Sequence, residues 1–128
     1  MIVDASALLS ILLAETDAPI FAAILAGGGH KRLSVVGYVE VAIRIDRLDP
    51  RGGVDLDAFL TDAGIVLESV TLDQARIARA AHARFGKARH RARLNMGDCF
   101  AYALAIDRRE PLLFKGDDFQ HTDVARVL

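Results

Sequence analysis

Hydrophobic residues along this chain alternate between short unbroken runs and longer stretches with helical spacing. Met1-Ile2-Val3 is a short apolar run ending in Asp4-Ala5-Ser6, and it reads as a strand. Ala7 to Ala14, rich in Leu and Ala, follows as a helix. Thr16-Asp17-Ala18-Pro19 supplies a cap and a first-turn proline for a second helix, Ile20 to Ala26, which stops at Gly27-Gly28-Gly29. Leu33 to Val36 reads as the next strand. From Gly37 onward, the segment Tyr38 to Leu48 has the length and polar spacing of a helix despite its β-branched content. Leu56 to Ala63 is predicted helical and Ile65-Val66-Leu67 a strand, after which Thr71-Leu72-Asp73-Gln74 opens a capping box for a helix reaching Phe85-Gly86. Asn95-Met96-Gly97-Asp98 caps a helix running to Arg108, and Leu112-Leu113-Phe114 forms a last strand before Lys115-Gly116.

Short apolar strands separated by helices predict an α/β fold with a mainly parallel sheet between two helical layers, α/β/α. No repeat, low-complexity tract or linker interrupts the pattern, so residues 1–128 are expected to form one domain. In such folds functional groups collect at the carboxyl ends of strands. Asp4 follows the first predicted strand, and Asp117 and Asp118 lie just past the last.

Composition narrows the class. Sixteen Lys and Arg against 17 Asp and Glu give a net charge of −1, with 52% hydrophobic residues, which excludes a disordered chain. Cys99 is the only cysteine and cannot form an internal disulfide, so a reducing compartment, by default the cytoplasm, is expected. No apolar stretch approaches the ~20 residues of a membrane span. The acid at Asp4 stands where a signal peptide carries basic and apolar residues, so the chain is expected to enter its fold directly. Near-zero charge argues against binding nucleic acid by bulk charge and leaves a local patch as the way to do it.

Four places set a carboxylate beside apolar sequence, each with a plain structural alternative. Asp4 could merely cap the following helix, a task Ser6 could share. Glu40, among Val39, Val41, Ala42 and Ile43, needs a partner or a metal if buried, and Arg44 one turn on is the structural candidate. Asp98 suits a helix N-terminus, and Asp117-Asp118 suits a turn. Jointly, a strand-end Asp, a helical Glu, a helix-start Asp and a post-strand Asp converge only in an α/β fold. Converging carboxylates repel, and an all-oxygen set selects Mg²⁺ or Mn²⁺ over zinc. Such a cation activates water and neutralises charge on a scissile phosphate, which points to phosphodiester hydrolysis.

At these positions the chain resembles the PIN-domain ribonucleases, and within them the VapC-type toxins of bacterial toxin–antitoxin pairs. The likeness rests on Met1-Ile2-Val3-Asp4-Ala5-Ser6-Ala7-Leu8, on Glu40 in Tyr38-Val39-Glu40-Val41-Ala42, on Leu94-Asn95-Met96-Gly97-Asp98-Cys99-Phe100-Ala101-Tyr102, and on Leu112-Leu113-Phe114-Lys115-Gly116-Asp117-Asp118-Phe119. It implies that Asp4, Glu40 and Asp98 are metal-binding acids supported by Ser6 and Asn95. Many relatives carry a Thr-x-Asp after the last strand, where Phe114 and Gly116 stand here, so the fourth acid is expected to be Asp117, with Asp118 holding the turn. The resemblance also implies a homodimer, Mg²⁺-dependent endonuclease action on RNA, and a small VapB-type antitoxin that covers the site.

Lys87, Arg89, Arg91 and Arg93 concentrate positive charge just before the Asn95–Asp98 motif. They form either a solvated loop or a cradle for RNA phosphates flanking the scissile bond. His30, His82, His90 and His121 have no metal-ligand spacing with Cys99, which makes zinc an unsuitable cofactor. His121 reads as a local hydrogen-bonding group or a proton donor, and Cys99 as a small core residue. A phosphotransfer domain also uses a strand-end Asp, but this chain has Glu68-Ser69 and Ser6 where such domains need further aspartates. The remaining alternative is a PIN-like binding module with a degenerate site.

Overall fold

In the computed structural model, which describes residues 1–51 and 54–128, strands and helices alternate as the hydrophobic pattern predicts. β1 (Ile2–Val3) leads into α1 (Ala5–Leu12) and α2 (Ala18–Ala26), and β2 (Lys31–Ser34) into α3 (Val35–Leu48) and α4 (Leu56–Asp62). β3 (Ile65–Glu68) precedes α5 (Leu72–Phe85) and α6 (Met96–Arg108), and β4 (Leu112–Leu113) precedes a single 3-10 turn, Phe119–His121. The strands run parallel in the order β3-β2-β1-β4, with Ile2 opposite both Arg32 and Leu112. Beyond β4, Leu112 N donates to Ala125 O (2.8 Å) and Val127 N to Leu112 O (3.1 Å), so the C-terminal segment lies along the sheet edge.

Side chains alternate across a strand, and the two-residue strands β1 and β4 therefore feed two cores. Ile2 and Leu112 pack with Ala78, Phe85 and Leu104 of α5 and α6, whereas Val3 and Leu113 pack with Leu8, Phe21, Val41 and Leu60 of α1 to α4. Helices thus cover both faces of the sheet, in the three layers expected. Each such buried Leu, Val or Phe contributes roughly 1.5–3 kcal/mol.

One strand is displaced. The expected strand Leu33–Val36 lies at Lys31–Ser34, and the following helix begins at Val35, where Ser34 Oγ accepts from Val36 N at 3.3 Å. The sheet accommodates two cations because each is fully partnered, Lys31 by carbonyls just before it and Arg32 by distant glutamates. Lys31, 8% exposed, donates Nζ to Leu25 O (2.7 Å) and Gly27 O (3.0 Å) at the end of α2, where a positive charge complements the helix terminus. On the other face Arg32 reaches Glu68 (2.6 Å) and Glu110 (2.9 Å).

The α5–α6 connection is folded back on itself. Leu94 N donates to Phe85 O (3.0 Å) and Lys87 N to Leu94 O (2.9 Å), while Ala92 and Leu94 are buried. His90 Nδ1 accepts from Ala92 N at 3.0 Å and its ring meets the Phe85 ring edge-on. Lys87, Arg89, Arg91 and Arg93 consequently point outward from an anchored loop. Among the described residues no helix is long and apolar enough to cross a membrane.

Candidate active site

β1 ends at Val3, and Asp4 takes the next position as the N-cap of α1. Its main chain is held by Leu113 O, which accepts from Asp4 N at 2.9 Å, so the carboxylate sits at the carboxyl end of the central strands. Asp4 is 4% exposed. Its Oδ2 accepts from Ser6 N (2.9 Å) and Ser6 Oγ (2.5 Å), and Ser6 Oγ in turn accepts from Lys115 N (3.0 Å). Ser6 therefore joins the first acid to the loop after β4. That loop is clasped a second time: Lys115 Nζ pairs with Glu15 and with Asp17 (2.9 Å), and Asp17 also accepts from Ser10 Oγ (2.5 Å). Asp17, expected only as a cap, holds the N-cap position of α2 without a side-chain capping bond, and its pairing with Lys115, like that of Glu15, could not be read from sequence because it spans about a hundred residues.

Asp98 is the third residue of α6 and completes a reciprocal capping box with Asn95. Asn95 Oδ1 accepts from Asp98 N, and Asp98 Oδ2 accepts from Asn95 N, both at 2.9 Å. Capping is thus a real duty of Asp98, yet it occupies one carboxylate oxygen. Glu40 projects from α3 onto the first turn of α6, where its Oε2 would lie 2.5 Å from a Cβ placed on Gly97. Gly97 also escaped notice from sequence, although a glycine inside a helix without a turn to make is itself a signal. The structural partner weighed for Glu40 does not materialise: Arg44 is exposed, and among the described residues no ion pair joins Asp4, Glu40 or Asp98 to a cation.

Burial without a cation raises all three acids. Asp98 is pushed up to about 7, first by burial and then by the charges of Asp4, Glu40 and Asp118, against a lowering hydrogen bond from Asn95. Glu40 is raised by burial and by Asp4. Asp4 is raised by burial and by Asp118, with the Ser6 hydrogen bonds opposing. The post-strand acid whose charge reaches Asp4 and Asp98 is thus Asp118. Asp117 and Asp118 are both exposed, and the Asp117 carbonyl accepts from Gln120 N (3.2 Å) to start the 3-10 turn.

As the side chains stand, no three acidic, His or Cys residues among those described form a finished metal cage. The donor chemistry nevertheless fits a hard divalent cation, since the acids are all-oxygen donors, buried at Asp4 and half-buried at Glu40 and Asp98, and mutually repulsive. Cys99 is buried in the core of α6, its thiol pushed up to about 11 by burial and by Asp98. Tyr102 is tied up by Asp123, to which its hydroxyl donates at 2.7 Å. His121 lies in the 3-10 turn.

Residues 1–125 match the family described as PIN domain. The chain belongs to that family. This PIN domain is 52% identical to Ribonuclease VapC28 of Mycobacterium tuberculosis, the match spanning 100% of this chain and 98% of the relative. It is 48% identical to a Ribonuclease VapC of Mycolicibacterium smegmatis, across 99% of each chain. The PIN fold here superposes on the Mycobacterium tuberculosis VapC20 crystal structure, a sarcin-ricin loop cleaving toxin, with a TM-score of 0.79 at 16% identity, covering 98% of this chain and 97% of that one. A toxin-antitoxin complex from Klebsiella pneumoniae gives a TM-score of 0.70 at 15% identity, covering 95% and 92%. Membership among the VapC ribonucleases sets aside the phosphotransfer alternative, and ribonucleases of this family generally need a divalent metal.

Proposed function

We propose that this VapC-family ribonuclease is the toxin of a toxin–antitoxin pair and cuts RNA endonucleolytically with Mg²⁺ or Mn²⁺, residues 1–128 working as a single domain in the cytoplasm. The observation that supports this reading is that the negative charge of Asp4, buried at the carboxyl end of β1, reaches the half-buried Glu40 and Asp98, and that among the described residues none of the three is paired with a cation. Asp4, Glu40 and Asp98 would hold the metal. For the fourth position we favour Asp118 over Asp117, because its charge reaches both Asp4 and Asp98. When bound, the ion offsets the clustered negative charge, activates water and neutralises charge developing on the scissile phosphate.

The chain's own residues supply the rest. Ser6 fixes the Asp4 carboxylate through two hydrogen bonds, and Asn95 fixes the rotamer of Asp98. Lys115 moors the loop carrying Asp117 and Asp118 to the α1–α2 connection. Lys87, Arg89, Arg91 and Arg93, held outward on their anchored loop, grip phosphates beside the cut and position the strand without reading its bases. A VapB-type antitoxin and a second copy of the chain are the protein partners we infer from the family.

Purified protein incubated with a mixed RNA pool tests this, with Mg²⁺, with EDTA, and with an Asp4→Ala control. Cuts that need the metal and vanish in the variant are expected. Asp118→Asn should reduce cleavage far more than Asp117→Asn. Intact RNA under every metal, with RNA still bound, would instead indicate a degenerate binding module.

A further inference from the structure

Gly97 is the second residue of α6, a place where any residue but proline is more helix-favouring than glycine. Among the described residues the glycines with positive φ are Gly29, Gly64 and Gly116, so no turn geometry demands one at position 97. Space does. A Cβ on Gly97 would stand 2.5 Å from Glu40 Oε2, 3.1 Å from its Cδ and 3.3 Å from Oε1. We propose that Gly97 is a positioning residue for the nuclease: by lacking a side chain it leaves the recess in which the Glu40 carboxylate rests, and so sets where that carboxylate stands relative to Asp4 and Asp98. The inference rests on Glu40 being one of the metal-holding acids.

The displaced atoms would be the tip of a flexible side chain, so an added methyl moves the carboxylate and leaves the helices packed. Val36, Val39, Ile43 and Met96 wall the same recess, and a carboxylate pushed toward them meets apolar surface. Alanine at a helical position also favours α6 itself. The substitution is therefore expected to separate metal binding from stability, which a purely structural glycine would not do.

The test is a Mn²⁺ titration of RNA-free protein, with thermal melting in parallel, on wild type, Gly97→Ala, Glu40→Ala and the double variant. Gly97→Ala should weaken Mn²⁺ binding by about tenfold, in the range seen when a residue supporting a ligand is lost, without lowering the melting temperature. In the Glu40→Ala background the same change should have almost no effect on Mn²⁺ binding. Unchanged affinity in Gly97→Ala beside a weakened Glu40→Ala overturns the role of Gly97 and leaves that of Glu40 standing. Equal weakening in both backgrounds overturns it as well, since Gly97 would then act on something other than Glu40. Glu40→Ala without effect on Mn²⁺ removes the premise, and the inference with it. Should Gly97→Ala fail to fold, recovery in the double variant supports the clash and continued unfolding refutes it.

Discussion

The two ends of β1 carry opposite solutions to the same electrostatic problem. At its start the Met1 amine donates to Glu110 (2.6 Å), and Glu110 with Glu68 flanks Arg32, so partly buried charges of both signs are matched within the chain. Burial alone would raise Glu110, but the hydrogen bonds from the amine and from Arg32 outweigh it and hold the acid below its ordinary range. At the other end of the strand Asp4, Glu40 and Asp98 are raised, because each meets burial and further negative charge. A charge that is matched internally stabilises the fold, whereas the unmatched set is the one proposed above to take an ion from outside. The exposed cations of the α5–α6 loop are, on the same proposal, matched by RNA phosphates rather than by the chain itself.

The contrast is most sharply tested by Asp98→Asn. The amide keeps a capping side chain but removes a carboxylate proposed to hold the metal, so cleavage should fall on the order of a thousand-fold, several kcal/mol of lost charge stabilisation. Its melting temperature in EDTA should hold or rise, because a buried repulsive charge has gone. Arg32→Ala should do the reverse, lowering the melting temperature by several degrees and leaving cleavage per folded molecule unchanged. If that variant instead loses activity at full stability, the division between the two ends is mistaken.

Proton linkage separates them more finely. Asp98 has an ordinary value of 3.8 and stands near 7 in the fold, so between these the folded state holds the proton and the unfolded state has released it. Stability then falls as pH rises across that window. Metal-free protein should accordingly melt at lower temperature at pH 7.5 than at pH 5, and Asp98→Asn should flatten the difference. Glu110 and Asp123, both lowered, act only in more acidic solution, where protonation removes their stabilisation. The smallest effect is expected from single loop variants such as Arg91→Ala, each reducing the slope of log affinity for RNA against log salt by about one. A slope that does not move would make the loop a solvated surface.

The alternation of strands and helices was legible because it is written in local hydrophobic runs, and Asp4, Glu40 and Asp98 stood out as acids in apolar company. What failed locally was whatever depends on distant partners. Arg32 looks like a loop residue until Glu68 and Glu110 are in place around it. The proposed choice of Asp118 over Asp117 turns on which charge reaches Asp4, more than a hundred residues earlier. Gly97 reveals its reason only when α3 is laid against α6.

The pairing of Ile2 with Leu112 has a consequence in time. β1 lies between β2 and β4, and its ladder on one side stays open until Leu112 and Leu113 have been synthesised. Contacts so remote in sequence form late, since a large loop must close before they return anything. Leu113, whose carbonyl holds Asp4, and Lys115, whose amide holds Ser6, both come from that last stretch. A nascent chain that stops short of β4 lacks the groups that fix Asp4, so the proposed site is assembled only once β4 closes on β1.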